Sequence, residues 1–328
     1  MSENILTVKD LKTYFYTASG VAKAVDGVSF NIAKGETMGI VGESGSGKSV
    51  TSSSIIRLLP PRTGKIVGGS IEFEGKDVLA LSKKELNDFR GKDIAVIFQD
   101  PMTSLDPVFK IGKQMTEMIM AHQNVTKDEA WKMSVEALSK VGIPEPEKRM
   151  NSYPYELSGG MCQRVIIAMA VCCKPKLIIA DEPTTALDVT IHAGIIELMN
   201  ELRRKYDSSI LIITHDFGIV ADIADRVGVM YAGNLIEVGE VFEIFDHPTH
   251  PYTRLLMKAL PTITKAEGRL ETIRGNVPNL AEEKPGCNFA ERCPYAKKIC
   301  YQQKPQLKEI SGGHLCACLL MDGGLEDE

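Results

Sequence analysis

The chain has 328 residues, of which 44% are apolar and 25% are charged, with a formal net charge of −5. This length suffices for one large domain or two, and the composition is that of a soluble globular protein. The acidic balance argues against broad binding to nucleic acid, so we expect no nucleic-acid partner. The longest uninterrupted apolar run, residues 165–173, is far too short to cross a bilayer, and no secretory leader is visible. We therefore expect a cytosolic protein that acts at a membrane only through a partner.

The first predicted elements are two β-strands. Residues 5–16 form the first strand and end in three consecutive aromatic residues, and Val28, Phe30 and Ile32 alternate along the second. A turn at residues 34–36 follows, so this part of the chain is expected to form an antiparallel patch.

A glycine-rich stretch comes next, with the pattern G-x-x-x-x-G-K-S of a phosphate-binding loop. Residues 38–41 before it are apolar and residues 50–59 after it favour a helix, which places backbone N–H groups at a helix N-terminus around phosphate oxygens. Lys48 is expected to reach the β- and γ-phosphates, and the Ser49 hydroxyl to bind Mg²⁺. The alternative, a glycine-rich turn with no ligand, is disfavoured by the Gly-Lys-Ser ending. The predicted ATP contacts are Gly42, Ser44, Gly45, Ser46, Gly47, Lys48, Ser49 and Val50.

An aromatic residue ahead of such a loop is well placed to stack on adenine. Phe15 is the predicted residue because it lies on the same face of its strand as Leu11 and Thr13, and core packing is the alternative.

Between Gln99 and Leu157 the pattern becomes helical. Thr126 and Glu129 form a capping box, and apolar residues then recur at helical spacing. We predict a helical insertion over roughly residues 100–165. A second glycine-rich turn, Ser158-Gly159-Gly160, precedes a long helix and offers another anion site. It is expected to reach the phosphate loop of a second subunit docked head to tail.

Polar residues follow the buried strands. Gln99 follows residues 94–98, Asp181 and Glu182 follow residues 177–180, and His215 follows residues 209–214. Four apolar strands separated by helices predict an α/β parallel sheet whose ligand lies along its carboxyl edge. Asp181 is expected to hold Mg²⁺, and Glu182 to deprotonate the attacking water. Gln99 and His215 are expected to reach Mg²⁺, the γ-phosphate or that water, although a lone histidine is more often a surface residue.

These motifs together resemble the ATP-binding cassette (ABC) family over roughly residues 5–245. The resemblance implies a P-loop NTPase fold with a RecA-like parallel core, an antiparallel β subdomain and a helical subdomain, and ATP hydrolysis between two cassettes. Met161 and Cys162 depart from residues common in the family, without removing a phosphate-binding N–H. The matching motifs are Walker A (Gly42–Ser49), the Q-loop (Gln99), the signature (Leu157–Met161 with Gln163), Walker B (Leu177–Glu182), the D-loop (Ala186-Leu187-Asp188) and the switch histidine (His215).

The similarity extends to the dipeptide/oligopeptide and nickel uptake ATPases through residues 98–107, residues 250–256 and the later Arg-Cys-Pro-Tyr-Ala sequence. It implies a peripheral subunit at the cytoplasmic face of the membrane that pairs with a second homologous ATPase, in an expected heterodimer. The pair would drive two permease subunits fed by a substrate-binding protein. The expected division is an ATPase domain over residues 1–260 and a C-terminal module over residues 261–328. Nickel remains an alternative cargo for such an importer. A cassette ATPase of DNA repair is disfavoured, because the insertion before the signature is too short for a long coiled coil and has no sustained heptads.

Five of the eight cysteines lie between Cys287 and Cys318. In a reducing cytosol such a cluster indicates a metal site rather than disulfides, and irregular spacing with a Cys-Pro step fits an iron–sulfur cluster better than zinc. The subfamily resemblance implies a [4Fe–4S] cluster, with Cys318 rather than Cys316 as the fourth ligand because of its spacing from His314. The predicted ligands are Cys287, Cys293, Cys300 and Cys318.

Overall fold

The computed structural model describes residues 3–18, 20–183, 189–259, 273–282 and 284–321. The chain divides into two compact units, and each is described by itself. The first comprises the described residues within Met1–Leu6, Ile32–Thr37 and Phe73–Ile213, and the second those within Thr7–Asn31, Met38–Glu72 and Thr214–Glu328.

The strands are β1 (Asn4–Thr17), β2 (Gly20–Ala33), β3 (Thr37–Val41), β4 (Gly64–Phe73), β5 (Lys76–Asp77), β6 (Ile94–Ile97), β7 (Leu177–Asp181), β8 (Ser209–Thr214), β9 (Arg226–Tyr231), β10 (Asn234–Glu240), β11 (Lys308–Ser311) and β12 (His314–Cys316). The α-helices are α1 (Lys48–Ile55), α2 (Lys83–Asp88), α3 (Pro101–Ser104), α4 (Ile111–His122), α5 (Lys127–Lys140), α6 (Pro146–Arg149), α7 (Gly159–Cys172), α8 (Val189–Tyr206), α9 (Phe217–Ile223), α10 (Val241–Asp246) and α11 (Pro251–Ala259).

The first unit contains the parallel strands β6, β7 and β8 in adjacent positions. Ile94 lies opposite Leu177, and Leu177 lies opposite Ser209. Every residue of β7 is buried, as expected for a parallel strand covered on both faces, and this explains its continuous apolar sequence. The predicted parallel sheet is confirmed, and it brings the ends of β6 and β7 to one edge.

The helical insertion of the first unit is also confirmed. Helices α3 to α6 lie between Gln99 and Leu157, and no strand interrupts them in the described chain. Thr126 and Glu129 make the predicted capping box at the start of α5, with both reciprocal hydrogen bonds present. The buried residues of α5 include Ala130, Ala137 and Leu138, which form its core-facing stripe.

The second unit contains a sheet in which β3 pairs parallel with β9, while β9 and β10 form the predicted antiparallel hairpin. β12 then pairs antiparallel with β10, and β11 with β12. The C-terminal strands β11 and β12 therefore extend this sheet. The sequence does not predict this extension. β2, β1 and β4 are neighbours in another sheet of the chain.

Helix α1 is shorter than the sequence predicts. We expected it to continue to residue 59, but it ends at Ile55, and Arg57 adopts a left-handed conformation with φ of 53°. Four serines in the helix and two prolines beyond it explain the early end, because serine competes for backbone hydrogen bonds and proline cannot continue a helix.

In the described part of the chain, no helix combines the length and apolar character needed to cross a bilayer.

Candidate functional site

The phosphate-binding pattern forms a tight loop between β3 and α1 in the second unit. Gly47 has φ of 104° directly before the helix, and a Cβ there would collide with the carbonyl oxygen of Ala24. Gly42 is similarly close to the carbonyl of Met230. The glycines are therefore required both for a left-handed backbone and for close approach of neighbouring chain.

The polar groups of this loop suit an anion. The Lys48 side chain is buried, and its amine donates to the carbonyl oxygens of Gly42 and Glu43 at 2.8 and 3.0 Å. Among the described residues, the buried Ser46 Oγ finds no hydrogen-bond partner. A buried hydroxyl without a partner is costly unless a ligand satisfies it, and a phosphate oxygen would do so. Ser44, Gly45 and Ser49 lie exposed around it.

The predicted adenine residue lies on the strand face that adjoins α1. Thr13 on this face is buried and hydrogen-bonds Ser54 of α1 at 2.8 Å. Phe15 follows two residues later, half-buried, with its ring edge beside Gly64. Tyr14 points to the opposite side and donates to Asp26 at 2.8 Å. The alternation that singled out Phe15 is therefore present, while its contact with adenine stays a prediction.

In the first unit, Gln99 and Glu182 come together at the ends of β6 and β7. Gln99 Nε2 donates to Glu182 Oε2 at 2.7 Å. Asp181, the last residue of β7, is buried, and Glu182 has φ of 49° with its N–H bonded to the carbonyl of Ile213 at 2.7 Å. A left-handed glutamate is strained, and such strain is concentrated at functional sites.

The second glycine-rich turn caps α7. The Ser158 hydroxyl accepts from the Met161 N–H at 3.3 Å, and Ser158 and Gly159 are exposed whereas Gly160 is buried. Gln163 in the same helix donates to the carbonyl of Pro183 at 2.7 Å. The start of α7 is therefore exposed at Ser158 and Gly159, and the contact of this turn with a second subunit stays a prediction.

The remaining predicted residues have different positions. His215 is exposed directly after β8 in the second unit, followed by Asp216, whose carboxylate caps α9. Val50 is half-buried in α1. Asp188 lies outside the described residues.

The four predicted cysteine ligands line one small cavity of about 20 Å³, together with His250 and Leu320. Cys316 is instead buried in β12. Burial raises the pKa of Cys287 and of Cys293 to about 11, which keeps these thiols protonated near neutral pH. Within the described ranges, no group of three or more His, Cys, Asp or Glu side chains forms a metal site, so the predicted cluster is not supported.

Two residues that the sequence does not assign a role contact the phosphate loop. Tyr252 Oη accepts from the Glu43 N–H at 3.0 Å, and the Glu43 carboxylate forms an ion pair with Arg292. Both belong to short motifs of the C-terminal region, and that was their only signal in the sequence.

Comparison with known proteins gives two family matches: "ABC transporter" over residues 25–185 and "Oligopeptide/dipeptide transporter, C-terminal region" over residues 236–300. The oligopeptide transport ATP-binding protein OppD of Bacillus subtilis is 54% identical over 311 residues, which cover 94% of this chain and 87% of that protein. The dipeptide transport ATP-binding protein DppD of the same organism is 49% identical, with 98% and 96% covered. Among solved structures, the dimeric ATP-binding cassette MJ0796 in a post-hydrolysis state bound to ADP and Pi matches with a TM-score of 0.65. It is 26% identical, over 72% of this chain and 98% of that one.

Proposed function

Because this chain belongs to the ABC transporter family and also matches the oligopeptide/dipeptide transporter C-terminal region, we propose that it is the ATP-hydrolysing subunit of an importer of di- or oligopeptides. The observation that carries this proposal is identity of about half over nearly the whole chain to peptide-transport ATP-binding proteins. A nickel importer, the alternative cargo, is not favoured by these relatives, and neither is a DNA-repair cassette.

The nucleotide is assigned to the loop from Gly42 to Val50, with Phe15 stacking on adenine. Support comes from the buried Ser46 hydroxyl without a partner and from the buried Lys48 amine, which can exchange its carbonyl contacts for phosphate oxygens. The Mg²⁺ residues, from their motifs, are Ser49, Gln99 and Asp181. When bound, Mg²⁺ neutralises charge on the phosphate oxygens.

Hydrolysis is assigned to Glu182 as general base. Its carboxylate takes a proton from water while the water oxygen bonds to the γ-phosphorus and the bond to the β-γ bridging oxygen breaks. The hydrogen bond from Gln99 supports this assignment, because it holds the Glu182 carboxylate in one orientation at the end of β7. His215 contacts the γ-phosphate, and Asp188 belongs to the same site by its motif.

The complete site needs a second ATPase subunit. Ser158, Gly159 and Gly160 of one subunit face the γ-phosphate bound to the other, which suits the exposure of Ser158 and Gly159. The partner is a homologous chain, in a dimer that we propose to be hetero. ATP binding closes the pair and hydrolysis reopens it.

Membrane coupling is assigned to the helical segment and the residues after Gln99. Several large apolar side chains here are exposed, which is typical of a contact surface. Two permease subunits would bind this surface and a substrate-binding protein would deliver the peptide, with the ATPase at the cytoplasmic face. The exposed residues are Met102, Val108, Phe109, Met120 and Tyr155, and Phe98 is exposed just before Gln99.

A metal group in the cysteine-lined cavity remains part of the proposal. The convergence of Cys287, Cys293, Cys300 and Cys318 on one cavity supports it, since four thiolates are the usual ligands of a [4Fe–4S] cluster. A cavity of about 20 Å³ admits a cluster only if side chains move, so zinc stays the alternative. We place this group in a C-terminal module after residue 260.

Reconstitution with the permease subunits tests the proposed function. ATP hydrolysis is measured with the binding protein loaded with peptide, loaded with nickel, or empty. We expect stimulation by the peptide-loaded protein alone. Stimulation by the nickel-loaded protein without any response to peptide would overturn the proposed cargo, and no ATP hydrolysis under any condition would overturn the enzyme assignment.

A further inference from the structure

A partly buried ion pair joins the C-terminal region to the phosphate-binding loop. Arg292 Nη1 and Nη2 contact Glu43 Oε2 and Oε1 at 2.7 and 3.0 Å, so the guanidinium and the carboxylate bind through two parallel hydrogen bonds. Glu43 is the second residue of the loop, 249 residues away in the chain. A two-point contact of this kind fixes orientation as well as distance.

Arg292 is itself held on several sides. Its side chain is only 6% exposed, Nε donates to the carbonyl of Arg274 at 3.0 Å, and Nη1 donates to Tyr231 Oη at 3.2 Å. The guanidinium also lies over the rings of Tyr231 and Phe289, at 5.7 and 6.0 Å from their centroids. Because these contacts hold the Arg292 guanidinium in place, its two hydrogen bonds also hold the Glu43 carboxylate in place. An ion pair between two fully exposed side chains, in contrast, contributes little to stability.

The same short segment reaches the loop by a second route. Asn288 donates to the carbonyl of Ala232 at 3.2 Å and to Asn234 Oδ1 at 2.9 Å. Between these two residues, the Gly233 N–H donates to the Ser46 carbonyl at 2.8 Å. Residues 288–292 therefore hold the loop near its beginning, at Glu43, and near its end, at Ser46.

We propose that Arg292 is a positioning residue for the nucleotide: by holding Glu43 it keeps the loop in the shape that binds phosphate, so the segment between Cys287 and Cys293 sets the affinity for ATP and ADP. This inference rests on the proposed function, since it takes Gly42–Ser49 as the nucleotide site. Arg292 touches no phosphate in this scheme and acts through Glu43.

The test measures the dissociation constant of a fluorescent ADP analogue for the full-length chain in Arg292→Gln, Glu43→Gln and the double variant. We expect each single change to weaken binding about tenfold. The double variant should bind no more weakly than either single variant, because both changes remove the same contact between Arg292 and Glu43. Arg292→Lys should regain part of the affinity, since lysine keeps the charge without the paired geometry. In the assembled transporter, Arg292→Gln should raise KM for ATP with little change in kcat.

Two control variants and one fallback variant separate the possible failures. Lys284→Gln breaks a different ion pair in the same segment, with Glu291 at 2.7 Å, and should leave affinity unchanged. Lys48→Ala tests the nucleotide site itself: if it binds normally, the proposed site is wrong. If Lys48→Ala fails to bind while Arg292→Gln binds like wild type, or if the two single losses multiply in the double variant, the positioning role is wrong. Should Arg292→Gln not fold, Arg292→Lys decides, and wild-type affinity in that variant overturns the proposal.

Discussion

Gln99 and Glu182 are joined by a 2.7 Å hydrogen bond although 83 residues separate them in the chain. The contact exists because β6 and β7 are adjacent and parallel, so that the residues after their carboxyl ends meet. A glutamate held by an amide donor, at a strained backbone position and beside a buried aspartate, has a fixed orientation. That orientation is what a general base requires.

Glu182→Gln tests this assignment. The amide keeps the shape of the side chain but cannot accept a proton, so we expect ATP binding to persist and hydrolysis to slow at least about a hundredfold. Single-turnover hydrolysis, with nucleotide binding measured in parallel, checks the result. Glu197→Gln, at an exposed position on α8, serves as the matched control. Near-normal turnover in Glu182→Gln would mean that another residue is the base.

Gly47→Ala tests the geometry of the loop. A Cβ at position 47 would collide with the Ala24 carbonyl, and the residue would also need a positive φ. Gly45 has a positive φ too, of 78°, but a Cβ there would meet open space. We expect Gly45→Ala to cost about 1–2 kcal/mol from backbone strain alone and Gly47→Ala to cost more and to lose nucleotide affinity. Urea unfolding and nucleotide titration measure both effects. Equal costs for the two variants would show that the collision is relieved.

The cysteine-lined cavity makes a prediction about metal content. If the proposed cluster forms, protein purified without oxygen should be brown and contain iron and sulfide, because four thiolates would then ligate the iron. Cys318→Ser should lose the visible absorption of the cluster. Cys316→Ser should retain it, because Cys316 lies in β12 and does not line the cavity. A colourless preparation with stoichiometric zinc would rule the cluster out in favour of the alternative ion.

His314 predicts a pH dependence of stability. The pKa of His314 is raised, first by its hydrogen bond to the buried carboxylate of Glu237 at 2.9 Å and then by Glu243. A raised pKa means that the folded state holds the proton more tightly, so the stabilisation is full below the unfolded pKa and is lost as pH rises through the folded pKa. The stability advantage of wild type over His314→Gln should therefore shrink as the pH rises.

Urea denaturation from mildly acid to alkaline pH measures this difference. His247→Gln, at an exposed histidine, is the control and should show no such trend. A difference between wild type and His314→Gln that stays constant across the range would refute the role of His314 protonation.

The sequence predicts the parts of this protein that local pattern determines. The phosphate loop, the parallel strands and the hairpin of β9 and β10 all follow from residue spacing and from which residues end each strand. The capping box at Thr126 is local chemistry, and it appears as expected.

Other features depend on contacts that leave no local pattern. The ion pair between Glu43 and Arg292 spans 249 residues, and nothing in either neighbourhood encodes the partner. The pairing of β12 with β10 could not be predicted either, because the three residues of β12 are too few to show an alternating pattern. The early end of α1 reflects competition between apolar spacing and serine-rich composition, which a pattern of apolar residues alone does not resolve.

In the proposed dimer, ATP is bound where two subunits meet, with the Ser158 turn of one subunit against the nucleotide of the other. Sedimentation velocity of the Glu182→Gln chain with the proposed homologous ATPase subunit is the measurement that tests this arrangement. We expect association with ATP but not with ADP, and loss of that association in Ser158→Arg, because the arginine side chain blocks the exposed turn. ATP-dependent association that persists unchanged in Ser158→Arg would show that ATP is not bound between the two subunits in this way.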